Sequence, residues 1–234
     1  MGVGVLLARL VESHLIAPEV KHFTFDVPEV DQLPYVAGQF VSFTREFDGR
    51  NVTRAYSTAS SPDGNTFELC LNRVQDGIFS PWLFELEPGG IVEMKGPLGY
   101  FTWKQPVSDS VLVATGTGIA PFRGMLRSYL GSGGDKQITL VFGVRYEETI
   151  LYRADFEQLE REHPNFRFVP TLSRCDDRWA GCRGHVQQHV IDALGGRTDM
   201  DVYICGLKLM VDNMRSRLKE LGFDRKRIVF EKYD

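Results

Sequence analysis

Glycines at positions 116 and 118, set between a short apolar run and an alanine-proline pair, are where this chain has the means to hold phosphate. Val111-Leu-Val-Ala114 reads as a buried strand, Thr115-Gly116-Thr117-Gly118 as a tight bend, and the residues from about Pro121 onward as a helix. A bend of this kind lets backbone N–H groups approach a diphosphate at the positive end of the following helix. The plainer reading is that a strand-to-helix turn needs glycine for steric reasons alone. The stretch also departs from the common dinucleotide fingerprint. Pro121 stands where a third glycine would, and the next strand, Ile138–Phe142, leads to Gly143-Val-Arg145 where an acidic residue would hold the ribose hydroxyls. An arginine there suits a 2′-phosphate better than a bare ribose.

A second group is Arg54-Ala-Tyr56-Ser57-Thr58. On a strand, Arg54 and Tyr56 face one way and Ser57 the other. Arginine beside an aromatic can grip a phosphate while the ring covers a flat heterocycle, or it can be a solvated charge beside a half-buried tyrosine. Ser80-Pro81-Trp82-Leu83 opens a short helix, with Ser80 as its cap and Pro81 at the first helical position. Gly77 just ahead makes this another candidate phosphate site; the alternative is that Ser80 only caps its own helix. Cys205-Gly206 closes a predicted strand at a carboxyl edge, where parallel sheets bind ligands, although Cys205 by itself reads as a buried structural thiol.

The elements that would position these residues fall into two textures. Up to about Trp103 the chain shows short β-rich runs at 5–11, 22–27, 39–43, 53–59, 66–71 and 91–94, separated by turn signals such as Asp48-Gly49 and Pro88-Gly-Gly90. Six strands at this spacing predict a small antiparallel β-barrel. After Gln105-Pro106, strand-like runs at 110–114, 137–142, 166–172, 201–205 and 227–233 alternate with helical patterns near 121–130, 154–162, 184–194 and 207–221. That alternation predicts a parallel sheet wrapped by helices, and hence two domains, 1–105 and 106–234.

Composition narrows the functional classes. With 234 residues, 43% hydrophobic content and a net charge of −4, the chain can build packed cores but has no basic block for nucleic acid. No apolar run reaches the roughly 18 residues of a membrane span, and no leader pattern opens the chain, so a cytoplasmic protein is expected. Cys70, Cys175, Cys182 and Cys205 form no close pair of the kind that binds zinc or iron-sulfur clusters. A Cys175–Cys182 disulfide is geometrically possible but disfavoured in a reducing compartment, so free thiols and no metal are expected.

Taken in order, Arg54-Ala-Tyr-Ser57, Leu71-Asn-Arg73-Val, Gly77-Ile-Phe79-Ser80, Gly96-Pro-Leu-Gly-Tyr-Phe101, Gly116-Thr-Gly-Ile-Ala-Pro121, Cys205-Gly-Leu-Lys208 and Phe230-Glu-Lys-Tyr233 resemble the ferredoxin-NADP reductase superfamily across essentially the whole chain. The resemblance implies a flavin-binding barrel followed by a pyridine-nucleotide domain. It makes Arg54 the flavin phosphate ligand, Tyr56 the ring neighbour and Ser57 a neighbour of flavin N5. Thr58, Leu71, Arg73, Gly77, Phe79 and Ser80 complete the flavin site, and the Gly77-to-Ser80 segment followed by Trp82-Leu83 resembles the FAD form rather than the FMN form. Thr115, Gly116, Thr117 and Gly118 become the nucleotide pyrophosphate site, with Cys205 and Gly206 beside the nicotinamide. Glu231 and Tyr233 resemble the acidic-x-aromatic ending whose aromatic ring covers the flavin until nicotinamide takes its place; here Asp234 follows the aromatic residue.

Ser173-Arg174 resembles the pair that NADP-specific members use on the 2′-phosphate, and Arg145 and Arg183 match positions where bacterial NADP-type members carry arginines. NADPH is therefore expected, although Trp179-Ala-Gly-Cys-Arg183-Gly also resembles NADH-using oxygenase reductases, which keeps NAD open. The implied activity is hydride transfer from NADPH to FAD, with Ser57, Cys205, Glu231 and Tyr233 at the reacting rings. Single electrons then pass to a separate acceptor, a ferredoxin or flavodoxin. The alternatives are an NADH-dependent oxygenase component or free-flavin reductase, and a non-catalytic flavin-binding electron-transfer subunit. Arg45, Arg50, Arg73 and Lys95 could form a basic docking face for an acidic acceptor, or lie scattered as solvated charges. A monomer is expected.

Overall fold

The computed structural model describes residues 4–233, so Asp234 lies outside the described residues. The chain divides into two compact units: one holds the residues up to Thr102 together with Ala120–Ser128, the other Trp103–Ile119 and the residues from Tyr129 on.

The first unit contains β1 (Leu6–Ala17), β2 (Val20–Asp26), β3 (Phe40–Phe47), β4 (Arg50–Ser57), β5 (Thr66–Asn72), the short helix α1 (Phe79–Phe84) and β6 (Ile91–Leu98). The six strands pair antiparallel in the order β4-β3-β6-β1-β2-β5, and a bridge between Thr58 and Leu69 joins the two edges, closing the barrel. Phenylalanines on alternating positions fill it: Phe25 packs edge-on against Phe43 at 5.0 Å and stacks on Phe67 at 5.6 Å. The β3–β4 turn is Asp48-Gly49, with φ of 49° and 76°; two successive left-handed residues match the twist of the flanking strands.

The second unit is built on a six-stranded parallel sheet: β7 (Ser110–Thr115), β8 (Ile138–Val144), β9 (Phe166–Leu172), β10 (Cys182–Arg183), β11 (Asp201–Leu207) and β12 (Ile228–Tyr233), in the order β10-β9-β8-β7-β11-β12. Its helices are α3 (Arg153–Glu162), α4 (Val186–Leu194) and α5 (Lys208–Glu220). Between β7 and α2 (Ala120–Gly131) lies a 3₁₀ turn, Gly116–Ile119, so the glycine bend is itself helical in sense. β7 and β11 are buried along nearly their whole length, which explains their unbroken apolar runs. The predicted fold class holds, with β10 as a sixth parallel strand beyond the five expected. Among the described residues no helix is long and apolar enough to cross a membrane, and no group of three or more potential ligands could hold a metal ion.

Candidate cofactor sites

In the barrel unit, β3 pairs with β4 so that Val41 lies opposite Tyr56 and Phe43 opposite Arg54. Arg54 and Tyr56 therefore share the inward row, as alternation requires, and Ser57 opposite Phe40 takes the other. Tyr56 is half-buried, its ring 5.9 Å from Phe43 and 6.3 Å from Phe79, and burial pushes its phenol well above the ordinary range. Arg54 is exposed and donates to the Thr53 carbonyl oxygen; among the described residues it has no carboxylate partner. Thr58 is spent on structure, since both its backbone N–H and its hydroxyl donate to the Gln39 carbonyl at 2.9 Å. Leu71 and Phe79 are core residues.

Helix α1 corrects the reading of Ser80. The helix begins at Phe79 with Ile78 as its cap residue, and the Ser80 hydroxyl accepts from the Val74 N–H at 2.9 Å instead of capping. That bond folds residues 74–79 into a closed loop, helped by Gly77 N–H donating to the Val74 carbonyl. At the other end Lys21 Nζ donates to the Phe84 carbonyl at 2.7 Å, a cation where the dipole of even a short helix favours one. Arg73 is 3.4 Å from Glu85, so this predicted flavin residue is in part a strap for the helix. The four charges considered as one basic face do not share one. Lys95 pairs with Ser42 on the outward row, Arg45 and Arg50 lie on the inward row, and Arg73 is tied to Glu85.

In the sheet unit, Thr115 ends β7 and its Oγ1 is buried with no hydrogen-bond partner. An orphaned hydroxyl in a buried position is costly unless something bound satisfies it, so the site fits a ligand with polar groups. Gly116, at φ +54°, borders open space, whereas a Cβ on Gly118 would lie 2.4 Å from the Cys205 carbonyl oxygen. Of the two glycines, 116 leaves room for a ligand and 118 is the steric requirement. Thr117 sits between them on the 3₁₀ turn. A Cβ on Gly206 would come within 2.4 Å of the orphaned Thr115 Oγ1, so glycine there preserves the space beside it.

Cys205 is fully buried, flanked by Ala114 on β7 and Glu231 on β12. Burial pushes its thiol up strongly, the Glu231 carboxylate adds to the rise, and a hydrogen bond with the Tyr233 hydroxyl opposes it. Strand register puts Cys205, Glu231 and Tyr233 on one face of the sheet. At the carboxyl edge of β8 and β9, Arg174 N–H donates to the Arg145 carbonyl at 2.9 Å and Ser173 N–H to Val144 at 3.0 Å. The backbone thus sets Arg145, Ser173 and Arg174 side by side, all exposed. Arg183 differs: its guanidinium donates to the Trp179 carbonyl at 2.7 Å and lies 3.3 Å from Cys175 Sγ. Sequence reasoning missed Tyr146, whose hydroxyl is 3.5 Å from Arg174 Nη1, though it directly follows Arg145. A cleft of about 450 Å³ lined by Glu147, Arg153, Arg167 and Trp179 contains none of the predicted site residues.

The description of oxidoreductase FAD-binding domains matches residues 7–103, and that of oxidoreductase NAD-binding domains residues 112–216. The chain is 40% identical over 237 residues to Ferredoxin–NADP reductase B of Sorangium cellulosum, covering 97% of both chains. It belongs to the ferredoxin-NADP reductase superfamily. As a member it is an NAD(P)H-dependent flavoprotein reductase whose cofactors are FAD and NAD(P). The solved cytochrome P450 reductase GcoB of Amycolatopsis is 30% identical, with a TM-score of 0.89 over 98% of this chain and 69% of that one. NADH-cytochrome b5 reductase 1 of Mortierella alpina is 29% identical over 93% of this chain and 75% of its own. Relatives at the lower identity therefore carry NADH in their names, and membership in the superfamily leaves the nucleotide open.

Proposed function

We propose that this reductase uses NADPH in preference to NADH and delivers electrons to a soluble acceptor of the ferredoxin or flavodoxin type. The observation that carries the nucleotide choice is the Arg145–Arg174 pair. The two residues are locked together by a backbone hydrogen bond, and among the described residues neither guanidinium is neutralised by a carboxylate. Two uncompensated cations at the carboxyl edge of a parallel sheet suit a dianionic 2′-phosphate, with the Ser173 hydroxyl as a further contact. The ferredoxin-NADP reductase of Sorangium cellulosum, at 40% identity, supports both halves of the reading.

FAD, when bound, supplies a ring that takes a hydride at N5 and releases electrons one at a time. On this reading Arg54 and the segment 77–80 hold its phosphates, Tyr56 packs against the ring, and Ser57 lies near N5. Thr115, Gly116 and Thr117 receive the nucleotide diphosphate, and Thr115 Oγ1 finds the partner it lacks. Cys205, kept as a neutral thiol by burial, would orient the nicotinamide without forming a bond to it, with Glu231 beside the thiol and the Tyr233 side chain hydrogen-bonded to it. The competing reading, an NADH-dependent reductase, gains from Arg183, whose guanidinium is already committed within its own loop.

The test is anaerobic mixing of the yellow protein with each nucleotide, following loss of oxidised-flavin absorbance. NADPH should bleach the flavin at least ten times more efficiently than NADH, and Arg174→Ala should lower kcat/KM for NADPH by about tenfold or more while leaving NADH unchanged. Equal bleaching by both nucleotides, insensitive to Arg174, would reject the NADPH choice. Acceptor choice is checked separately, since reduced ferredoxin should form faster than reduced free flavin.

A further inference from the structure

The inward row of the β3–β4 hairpin continues past the flavin residues. Val41 and Phe43 point into the core, and the same row runs on to Arg45 and Phe47. Opposite them, in order, stand Tyr56, Arg54, Val52 and Arg50. Three arginines thus share a row with the ring neighbour Tyr56, and among the described residues none of Arg45, Arg50 and Arg54 is paired with a carboxylate. Arg45 is held by a ring instead: its guanidinium carbon lies 4.2 Å from the centre of the Trp82 indole and 5.7 Å from that of Phe47. Trp82 is fixed in turn by edge contacts to Phe79 at 5.5 Å and Phe47 at 6.2 Å. A guanidinium laid on an aromatic face keeps its N–H edge available for acceptors in its own plane.

We propose that Arg45, backed by Trp82, binds the adenylate half of FAD, and that this contact makes the chain select FAD over FMN. The inference rests on the flavin reading of Arg54, Tyr56 and segment 77–80. FAD carries one negative charge on each of two phosphates, and a single arginine fork matches one of them. Arg54 takes the phosphate nearer the ring, and Arg45 joins segment 77–80 at the one on the adenosine. Arg45 stands opposite Val52, four residues along β4 from Tyr56, or about 13 Å at strand spacing. That is the reach from a flavin ring along its ribityl chain to the far phosphate. FMN ends one phosphate short and gains nothing from Arg45.

The full chain, freed of flavin at high salt, is titrated calorimetrically with FAD and with FMN. Arg45→Gln should raise the Kd for FAD about tenfold and leave that for FMN within twofold; Arg45→Lys, which keeps the charge but loses the flat fork, should fall between. Unchanged FMN affinity doubles as the folding control. Equal weakening of both flavins would make the Arg45–Trp82 stack merely structural, and no change in either would remove Arg45 from the site. Arg54→Gln separates this from the underlying reading, because it should weaken both flavins; if it weakens neither, the flavin assignment itself fails.

Discussion

A Cβ on Gly118 would meet the Cys205 carbonyl oxygen at 2.4 Å, while one on Gly116 would meet nothing within 4 Å. The two substitutions should therefore fail differently. Gly118→Ala forces the turn off β11, costs on the order of 1–3 kcal/mol in urea unfolding, and raises KM for the nucleotide. Gly116→Ala pays only for its left-handed backbone, about 1–2 kcal/mol, without displacing Cys205. The Cys205 thiol gives a second prediction at this scale. Its pKa in the folded chain lies well above the ordinary 9.0, so as pH rises the unfolded chain loses the proton first. The stability it contributes is whole below pH 9 and drains away as pH climbs toward the folded value. The urea midpoint should fall between pH 8 and pH 10.5, and fall less in Cys205→Ala; identical slopes would clear the thiol. Tyr35 and Tyr203, both pushed up to about 12 chiefly by burial, act with the same sign at higher pH.

Among the elements, α2 shows how strongly one buried ion pair can fasten a helix. Arg123 pairs with Glu68 on β5 and donates to the Ala59 carbonyl at 2.9 Å, and a Cβ on the next residue, Gly124, would sit 2.4 Å from the Ser60 carbonyl oxygen. The side chain of Arg123 is 8% exposed and that of Glu68 27%. Glu68→Gln removes a carboxylate from beside a buried guanidinium and should cost on the order of 3 kcal/mol, whereas Arg123→Met leaves a carboxylate that water can reach and should cost less. Reversal of that order in urea titrations would show that the helix, not the charge, dominates. Legibility also differs by element. The apolar runs of β2, β5, β7 and β11 announced themselves because both or one of their faces are buried. Yet the sequence pattern marks β3 only to Phe43 and β4 only from Thr53, because Arg45, Glu46, Arg50 and Asn51 bury little and carry no period. That polar outer half of the hairpin holds Arg45, so the inferred adenylate contact was invisible for the same reason its strand was cut short. β10, two residues long, has no period to read. Thr115 was placed at the site by resemblance, but its orphaned hydroxyl is a property of packing that no spacing reveals.

At the scale of the whole molecule, the proposed division into 1–105 and 106–234 follows the chain, while compactness assigns Ala120–Ser128 to the barrel unit. Ligand binding can decide between them, because a ligand protects the cooperative unit that holds it by mass action, about 2.7 kcal/mol at a concentration 100 times Kd. Amide hydrogen exchange on the flavin-free chain, the FAD-bound chain and the chain with NADP⁺ reads this residue by residue. FAD should slow exchange in β3, β4 and segment 74–84, and NADP⁺ in 115–119, 145–146 and 173–183. The deciding segment is 120–128. Its ties to Glu68, Ala59 and Ser61 predict that FAD slows exchange there together with β5, even though the sequence places it directly after the nucleotide loop. If 120–128 instead follows only NADP⁺, the helix belongs energetically to the nucleotide half, and the Arg123–Glu68 pair contributes less than its burial implies. If FAD protects it and Glu68→Gln abolishes that protection while β3 and β4 stay protected, a single ion pair joins the helix behind the nucleotide loop to the unit that binds flavin.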